Sequence, residues 1–211
     1  MLKIPCPSCG GELVFRSQSS VFAVCPYCTS TVVRHDLDVE KIGEMGALAE
    51  DSSPIQIGMT GSYKNKFFYT SGRIIYEYED GQWNEWHLYF DNGESAWLTD
   101  AQGEFAISFA KEEGIPSASK LRLGLGVDVG GDYFKVSDIK QVTYKGSEGE
   151  LPFKAEKNYK SVVYDFSHND NKFLTVEIPN ERGVPPIMYK GSYIEFWKLS
   201  PQNIRIFEGW I

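Results

Sequence analysis

Much of the chain alternates between apolar and polar residues with a period of two, which is typical of β-strands. From residue 54 onward, short alternating stretches rich in aromatic and β-branched residues are separated by turn-forming residues. The pattern predicts an all-β fold, in which a small N-terminal unit precedes a two-part antiparallel β-sandwich or barrel-like domain. The predicted strands of this larger domain cover residues 66–69, 73–79, 85–91, 94–99, 104–109, 133–135, 139–145, 161–166, 172–178, 192–198 and 203–207.

A sparse internal repeat divides the larger domain. Shifting the sequence by 66 residues superposes four features of the first half on the second. Because the matches are so few, chance similarity and a true duplication both remain open as explanations. The matches are Ile57-Gly58 with Leu123-Gly124, Phe68 with Phe134, Ser71 with Ser137, and Tyr78 with Tyr144. The predicted domains are therefore residues 1–35, a linker at 36–53, and residues 54–211, with halves at 54–115 and 116–211.

The strongest hairpin signal is Asn92-Gly93 between two alternating stretches. A two-residue loop at this dipeptide would place Glu85 opposite Asp100 at the open end of the hairpin. Two carboxylates facing each other repel unless a cation, an arginine or a shared proton joins them.

Tryptophans flank these carboxylates, and two interpretations follow. Aromatic clusters in strands are mostly packing, so the first interpretation is a hydrophobic core. The second is a binding site for a small cation, such as an amine, through charge pairing and cation–π attraction. Acid/base catalysis by the carboxylates is a further hypothesis. The candidate ligand-binding residues are Trp83, Glu85, Trp86, Trp97 and Asp100.

All four cysteines lie near the N-terminus, as Cys6-Pro-Ser-Cys9 and Cys25-Pro-Tyr-Cys28. Two C-x-x-C pairs at this separation match the spacing of a zinc ribbon. The spacing predicts a structural Zn²⁺ site, because four thiolates leave no coordination position open for water. The same thiolates also bind iron, which is the alternative metal. Disulfides would require secretion, and a redox pair would require a βαβ unit that this pattern lacks.

Charge is unevenly distributed along the chain. The formal net charge is −8, and residues 36–53 contain six acidic residues against one lysine. This segment is interpreted as a linker that acts as a solvated spacer, with a specific acidic interaction segment as the alternative; a short helix at 38–50 is compatible with either. An acidic chain argues against nucleic acid as a partner. No stretch is long and apolar enough for a membrane span, and Cys6 leaves no room for a leader before it, so we expect a cytoplasmic protein.

Residues throughout the larger domain resemble the bacterial family known as domain of unknown function 4178. The resemblance is carried by Ile57-Gly58, the tryptophan-rich stretch 83–98, Ala101-Gln102-Gly103, Gly149-Glu150-Leu151-Pro152, 173–177 and 191–196. Some members carry a similar cysteine ribbon, and many have glutamate where this chain has Asp100. The resemblance implies no established activity. Genes of family members often lie near genes for aminopropyltransferase-like proteins and small membrane proteins, which is only an associational link to polyamine or envelope physiology.

The leading interpretation is a noncatalytic binding or scaffold protein that recognises a protein partner or a small cationic ligand. The alternative is an enzyme, or a polyamine-related protein, that uses Glu85, Asp100 or Glu150. The two classes differ in what they require of the carboxylates: an enzyme needs them to converge in a pocket, whereas a scaffold ties them to arginines or backbone N–H groups.

Overall fold

The computed structural model describes residues 1–46, 48, 51–112, 114–155 and 159–207. In these segments the chain is almost entirely β-structure, which confirms the predicted class. The strands are β1 (Leu2–Pro5), β2 (Glu12–Phe15), β3 (Phe22–Val24), β4 (Ser30–His35), β5 (Asp38–Glu44), β6 (Thr60–Tyr63), β7 (Lys66–Tyr78), β8 (Gly81–Phe90), β9 (Ser95–Ala101), β10 (Glu104–Lys111), β11 (Gly126–Val129), β12 (Asp132–Leu151), β13 (Lys160–Ser167), β14 (Lys172–Pro179) and β15 (Ile187–Ile194). Two 3₁₀ turns cover Ala118–Lys120 and Phe196–Leu199.

Eight of these strands form a closed antiparallel ring. The order is β7-β8-β9-β10-β15-β14-β13-β12, and β12 pairs with β7 to complete the circle. Closure satisfies the backbone hydrogen bonds of strands that would otherwise end the sheet. The ring is the barrel-like domain that the alternating pattern predicts.

The two halves of the ring repeat the same pairing. Thr60 of β6 pairs with Tyr69, and 66 residues later Gly126 of β11 pairs with Lys135. A bulge follows in β7 between Thr70 and Gly72, and another in β12 at the same offset. The N–H groups of Gly58 and Gly124 both donate to the carbonyl preceding the bulge, at 2.9 Å. The sparse sequence matches thus mark a structural repeat.

The halves join about a pseudo-two-fold axis. At one junction Glu77 pairs with Thr143, its counterpart 66 residues later. At the other junction Phe109 pairs with Lys190, where longer connections in the second half have increased the offset to 81. Each junction is therefore a strand pair in which equivalent positions of the two halves face each other.

Each half has its own hydrophobic core on the outer face of the ring. The first core includes Trp86, Leu88 and Leu98, covered by residues 55–59 and the 3₁₀ turn at Phe196–Leu199. The second includes equivalent positions of β12–β15, covered by residues around Leu121. Side chains of a strand alternate between faces, so the remaining residues of the ring strands point to the opposite side, where the two halves face each other.

The cysteine block is joined to the ring through β12. Strands β1 and β2 form a hairpin, while β3, β4 and β5 extend the sheet of the ring because β3 pairs with the end of β12. Where the acidic segment had the option of a short helix at 38–50, Asp38–Glu44 is strand β5, paired with β4, and residues 47, 49 and 50 lie outside the described residues. The proposed division into domains at 35 and 53 stays a prediction.

Several predicted strands have different boundaries in the structure. Residues 66–69 and 73–79 belong to one strand, β7, which continues through its bulge, and 133–135 and 139–145 similarly belong to β12. The stretch predicted as a strand at 192–198 divides into the end of β15 and a 3₁₀ turn. Residues 203–207 form no named strand, whereas β6 and β11 were not predicted.

Candidate functional site

The two C-x-x-C segments fold into matching turns. In the first, the Gly10 N–H donates to the Cys6 carbonyl at 2.8 Å, and in the second the Thr29 N–H donates to the Cys25 carbonyl at 3.0 Å. The residue after each second cysteine has a positive φ, 75° at Gly10 and 57° at Thr29. Each turn therefore aims two sulfurs at one point, as the spacing predicts.

The four sulfurs fit a tetrahedral metal site. The Sγ atoms of Cys6, Cys9, Cys25 and Cys28 lie within 4.8 Å of one another, and the Cys6–Cys28 and Cys9–Cys25 distances are each 3.8 Å. Tetrahedral bonds of about 2.3 Å place neighbouring sulfurs about 3.8 Å apart. The Gly11 N–H points at Cys9 Sγ at 3.4 Å, and hydrogen bonds from Ser30 lower the pKa of Cys28 to about 6. These four cysteines could hold a metal ion.

The structure does not place Glu85 opposite Asp100. Glu85 pairs with Thr99, and Asp100 pairs with Asn84, so the predicted register is wrong by one residue. The loop contains three residues instead of two, since the Gly93 N–H donates to the Phe90 carbonyl and Phe90 itself faces Glu94. A shift of one residue reverses the face of a strand. The two carboxylates consequently lie on opposite faces of the ring wall.

Asp100 and Trp86 lie on the outer face with a buried arginine. Arg73 stacks over the Trp86 ring at 5.0 Å, donates to Asn84 Oδ1 at 2.9 Å, and forms an ion pair with Asp51. Burial raises the pKa of Asp100, while hydrogen bonds from Ser53 and Asn84 oppose the shift. The protein itself therefore supplies the cation that the sequence predicted beside this indole.

Glu85 lies on the inner face and has a different carboxylate for a neighbour. It accepts hydrogen bonds from Trp83 Nε1 at 2.9 Å and from the Thr99 hydroxyl at 3.0 Å. Glu177 of β14 accepts from the Ser161 hydroxyl at 2.7 Å. Burial, opposed by the hydrogen bonds from Trp83 and Thr99 and assisted by the charge of Glu177, raises the pKa of Glu85 to about 8. Glu85 and Glu177 are called the interior carboxylates below.

The repeat explains how both halves contribute to this pair. The cross-strand pair Glu85–Thr99 of β8 and β9 is equivalent to the pair Val163–Glu177 of β13 and β14. Each half thus contributes one carboxylate at an equivalent cross-strand pair. The two carboxylates lie on non-equivalent strands, because β14 corresponds to β9 and not to β8. In the described segments, no lysine or arginine forms an ion pair with either carboxylate.

Aromatic side chains surround the interior carboxylates. Burial raises the pKa of Tyr76 well above its usual value, and the charges of Glu177 and Glu85 add to this effect. Tyr189 has the same neighbours and is shifted in the same direction. The Trp83 ring stacks on Tyr76 with centroids 5.3 Å apart. Electron-rich ring faces beside carboxylates form an environment suited to an organic cation.

Trp97 lies one pair further along the inner face, where it contacts His87 with ring centroids 5.0 Å apart. His87 is fully buried, which lowers its pKa to about 4, and its Nδ1 lies 2.7 Å from the Ser71 hydroxyl. This Ser–His contact was not predicted, because nothing local in the sequence connects the bulge of β7 with β8. Both residues are almost fully buried, so we interpret the contact as part of the packed interior of the fold.

Glu150 joins the cysteine block to the ring. Its Oε2 accepts the backbone N–H of Arg16 at 2.8 Å and that of Ser17 at 3.4 Å, and the Arg16 guanidinium lies 3.6 Å from Oε1. Burial raises the pKa of Glu150, and these N–H groups oppose the shift. Glycine is required beside it: Gly149 has φ +68°, and a Cβ there would lie 2.3 Å from the Ser71 carbonyl oxygen.

The sequence-predicted site is therefore divided among three places. Trp83, Glu85 and Trp97 face the interior, Trp86 and Asp100 belong to the Arg73 cluster, and Glu150 contacts the cysteine block. Glu177, Tyr76 and Tyr189 were missed, because each occupies an ordinary alternating position of its strand. Tyr76 comes near Glu85 through the β7–β8 pairing, in which it faces Trp83, whereas Glu177 and Tyr189 come from the other half of the ring. Whether any of these residues bind a ligand stays a prediction.

Fold and cysteine geometry define the class: an all-β protein with a closed strand ring and a four-cysteine ribbon that could hold a metal ion. The chain belongs to the family described as Domain of unknown function (DUF4178), whose sequence profile matches residues 56–196. That range begins before the first strand of the ring and ends after its last, while the cysteine ribbon lies outside it. Searches of curated proteins and of solved structures gave no match. In the described part of the chain, no helix has the length and apolar character of a membrane span.

Proposed function

We propose that this chain is a noncatalytic binding protein of the bacterial cytoplasm, in which a structural Zn²⁺ holds the ribbon and the interior of the ring binds a small organic cation. The observation that carries the binding proposal is the pair of interior carboxylates. Both lie among aromatic rings, and in the described segments neither is paired with a basic side chain. An ammonium group would supply the missing positive charge and gain cation–π attraction from Trp83 and Tyr76.

Titration calorimetry with spermidine tests this proposal. Above pH 8, where Glu85 is ionised, we expect saturable binding of one ligand per chain, weakened at least tenfold by Glu85→Gln and by Glu177→Gln. Glu79→Gln is the matched control, because Glu79 is exposed at the adjoining turn. Lack of saturable heat at millimolar spermidine, or equal binding by all three variants, would contradict the cation site.

The zinc proposal rests on the four sulfurs and their separation. Four thiolates complete the coordination of Zn²⁺, so the ion would stabilise a ribbon too small to fold by burial alone, and would perform no chemistry on a substrate. Elemental analysis of protein purified under reducing conditions should give one zinc per chain. Iron in its place would identify the alternative metal, and less than one metal per chain would count against the site.

The catalytic alternative receives little support from the geometry. Glu85, Asp100 and Glu150 lie in three separate environments, so they do not form a shared acid/base pair. Asp100 and Glu150 are engaged by arginine, amide or backbone N–H groups, which is the arrangement expected of a scaffold. A role for Glu85 alone as a proton donor is the remaining form of this alternative, and its raised pKa is the observation that favours it.

A protein partner is the second candidate. It is favoured by aromatic side chains exposed near the end of the ring, Trp197 at 64% and Tyr193 at 50%. Aromatic residues are enriched at protein interfaces. A pull-down from the native host with the wild-type chain and a Trp197→Ser variant would test this surface, and equal recovery of each captured protein by both baits would contradict it.

A further inference from the structure

The cysteine ribbon inserts a side chain into one end of the ring. Phe22 of β3 is fully buried, although it belongs to the ribbon. It packs in a cluster with Ile74, Trp97, Tyr144 and Leu151, all of which belong to the ring or to the end of β12. We call these five residues the floor cluster. The ribbon contributes only one of its five fully buried members, and that residue faces the inner side of the ring.

The floor cluster is continuous with the candidate cation site. Tyr76 and Tyr189 pack against the cluster, and the same two tyrosines face the interior carboxylates. The cluster also reaches the carboxylates directly, because its member Ile74 pairs with Glu85 across β7 and β8. Removing Phe22 would leave an opening at the floor of the site.

The ribbon is held in this position by few contacts. Strand β3 pairs with β12 at only two positions, Ala23 with Glu150 and Phe22 with Leu151. The Val21 N–H adds a hydrogen bond to the Leu151 carbonyl at 3.0 Å. The Glu150 carboxylate accepts the two N–H groups at the end of β2 described above, and Val24 and Val33 of the ribbon pack against the floor cluster. An attachment of this size depends on the ribbon keeping its own fold, which a metal ion held by the four cysteines would stabilise.

We propose that the ribbon is a metal-dependent plug, which closes one end of the ring with Phe22 and is latched there by Glu150. Loss of the metal releases the plug and opens this end of the ring to solvent, so the metal state of the ribbon controls access to the cation site from that end. The inference rests on the proposed function for the identity of that site. The closure itself is a separate property of the chain and can be measured without any ligand.

Hydroxyl-radical footprinting with mass spectrometry measures the closure directly, because it reports the solvent accessibility of individual side chains. The full chain is compared in its zinc-loaded form and after chelation and desalting. We expect oxidation of Trp97, which is 9% exposed in the folded chain, to rise at least fivefold in the metal-free form. Trp86 and Phe134 lie in the two outer cores and should change by less than twofold.

Variants separate the plug from the metal. In the zinc-loaded chain, Phe22→Ala should expose Trp97 to a similar extent, and Phe22→Leu should largely restore its protection. Leu37→Ala is the control, because Leu37 lies in the turn between β4 and β5 and is 75% exposed. Glu150→Gln should give an intermediate increase, since an amide accepts the two N–H groups less strongly than a carboxylate does.

Two results would overturn the proposal. Continued protection of Trp97 in the metal-free chain would show that the ribbon does not close the ring. A parallel rise at Trp86 and Phe134 would show that the whole fold requires the metal, so that there is no separate plug. Neither result depends on spermidine, and a failed titration with intact, metal-dependent protection would instead reject the cation site and leave the plug standing.

Discussion

Replacing Glu85 with glutamine should make the protein more stable at alkaline pH and leave it nearly unchanged at acidic pH. The folded state holds the Glu85 proton up to a pKa of about 8, whereas the unfolded chain releases it near the ordinary value of 4.5. Between these values the folded state binds more protons, so the wild-type protein loses stability as the pH rises. Glutamine mimics the protonated side chain, since its amide can accept from Trp83 and donate to Thr99.

The size of the effect follows from the two pKa values. A difference of this size corresponds to about 5 kcal/mol over the full pH range, at about 1.4 kcal/mol per pH unit. Between pH 5.5 and 8.5 the same linkage gives about 3 kcal/mol. The stability difference between Glu85→Gln and the wild type should therefore increase by about this amount across the interval, with most of the change complete near pH 8.

Urea unfolding at several pH values, followed by tryptophan fluorescence in amine-free buffer, would measure this difference. Comparing variant with wild type at each pH removes the pH dependence that the cysteine ribbon contributes to both. Glu79→Gln, at an exposed carboxylate, should track the wild type throughout. A difference between Glu85→Gln and wild type that stays within 0.5 kcal/mol, roughly the limit of such comparisons, would refute the assignment of Glu85 to a buried, protonated site.

Three further predictions concern the surroundings of this site. Gly149→Ala should lower the free energy of unfolding by about 3 kcal/mol or more in urea titrations. The reason is that Gly149 has a positive φ and that the nearby Ser71 carbonyl leaves no space for a Cβ. A loss below about 1 kcal/mol would contradict this prediction. Arg73→Met should lower the free energy of unfolding by about 3 kcal/mol in the same measurement, because it leaves Asp51 and Asn84 without their buried partner. The control Lys145→Met, at an exposed ion pair, should lower it by less than about 1 kcal/mol. Equal losses in the two variants would contradict this prediction. Cys25→Ser should reduce bound metal well below one per chain in elemental analysis, and full retention would show that the four cysteines do not act together.

The class of fold could be predicted from the sequence because period-two alternation is a local signal. The hairpin register could not, since Asn92-Gly93 suits a two-residue loop and a three-residue loop with a glycine bulge equally well. The hydrophobic pattern did not decide between them, because Ala96 and Leu98 on one face of β9 and Trp97 on the other are all apolar. One residue of slip was enough to separate Glu85 from Asp100.

The cysteine site was predictable for the opposite reason. Its geometry is set by two short turns, and each C-x-x-C segment contains the information needed to aim its own pair of sulfurs. Glu150 and Glu177 act over long sequence separations: Glu150 contacts Arg16, 134 positions away, and Glu177 meets Glu85 only through ring closure. Neither residue carries a local pattern that distinguishes it from other acidic strand positions.

Strand β5 gives the acidic segment a role in keeping chains apart. It is the outermost strand of the large sheet on the ribbon side, so in the described structure one row of its backbone groups lacks a neighbouring strand. Its exposed carboxylates include Asp38, Glu40 and Glu44. If the β5 edge of a second copy approached this edge, the two β5 strands would bring like charges together. This repulsion opposes edge-to-edge aggregation. Neutralising these three residues should therefore reduce solubility before it affects either the metal site or the ring.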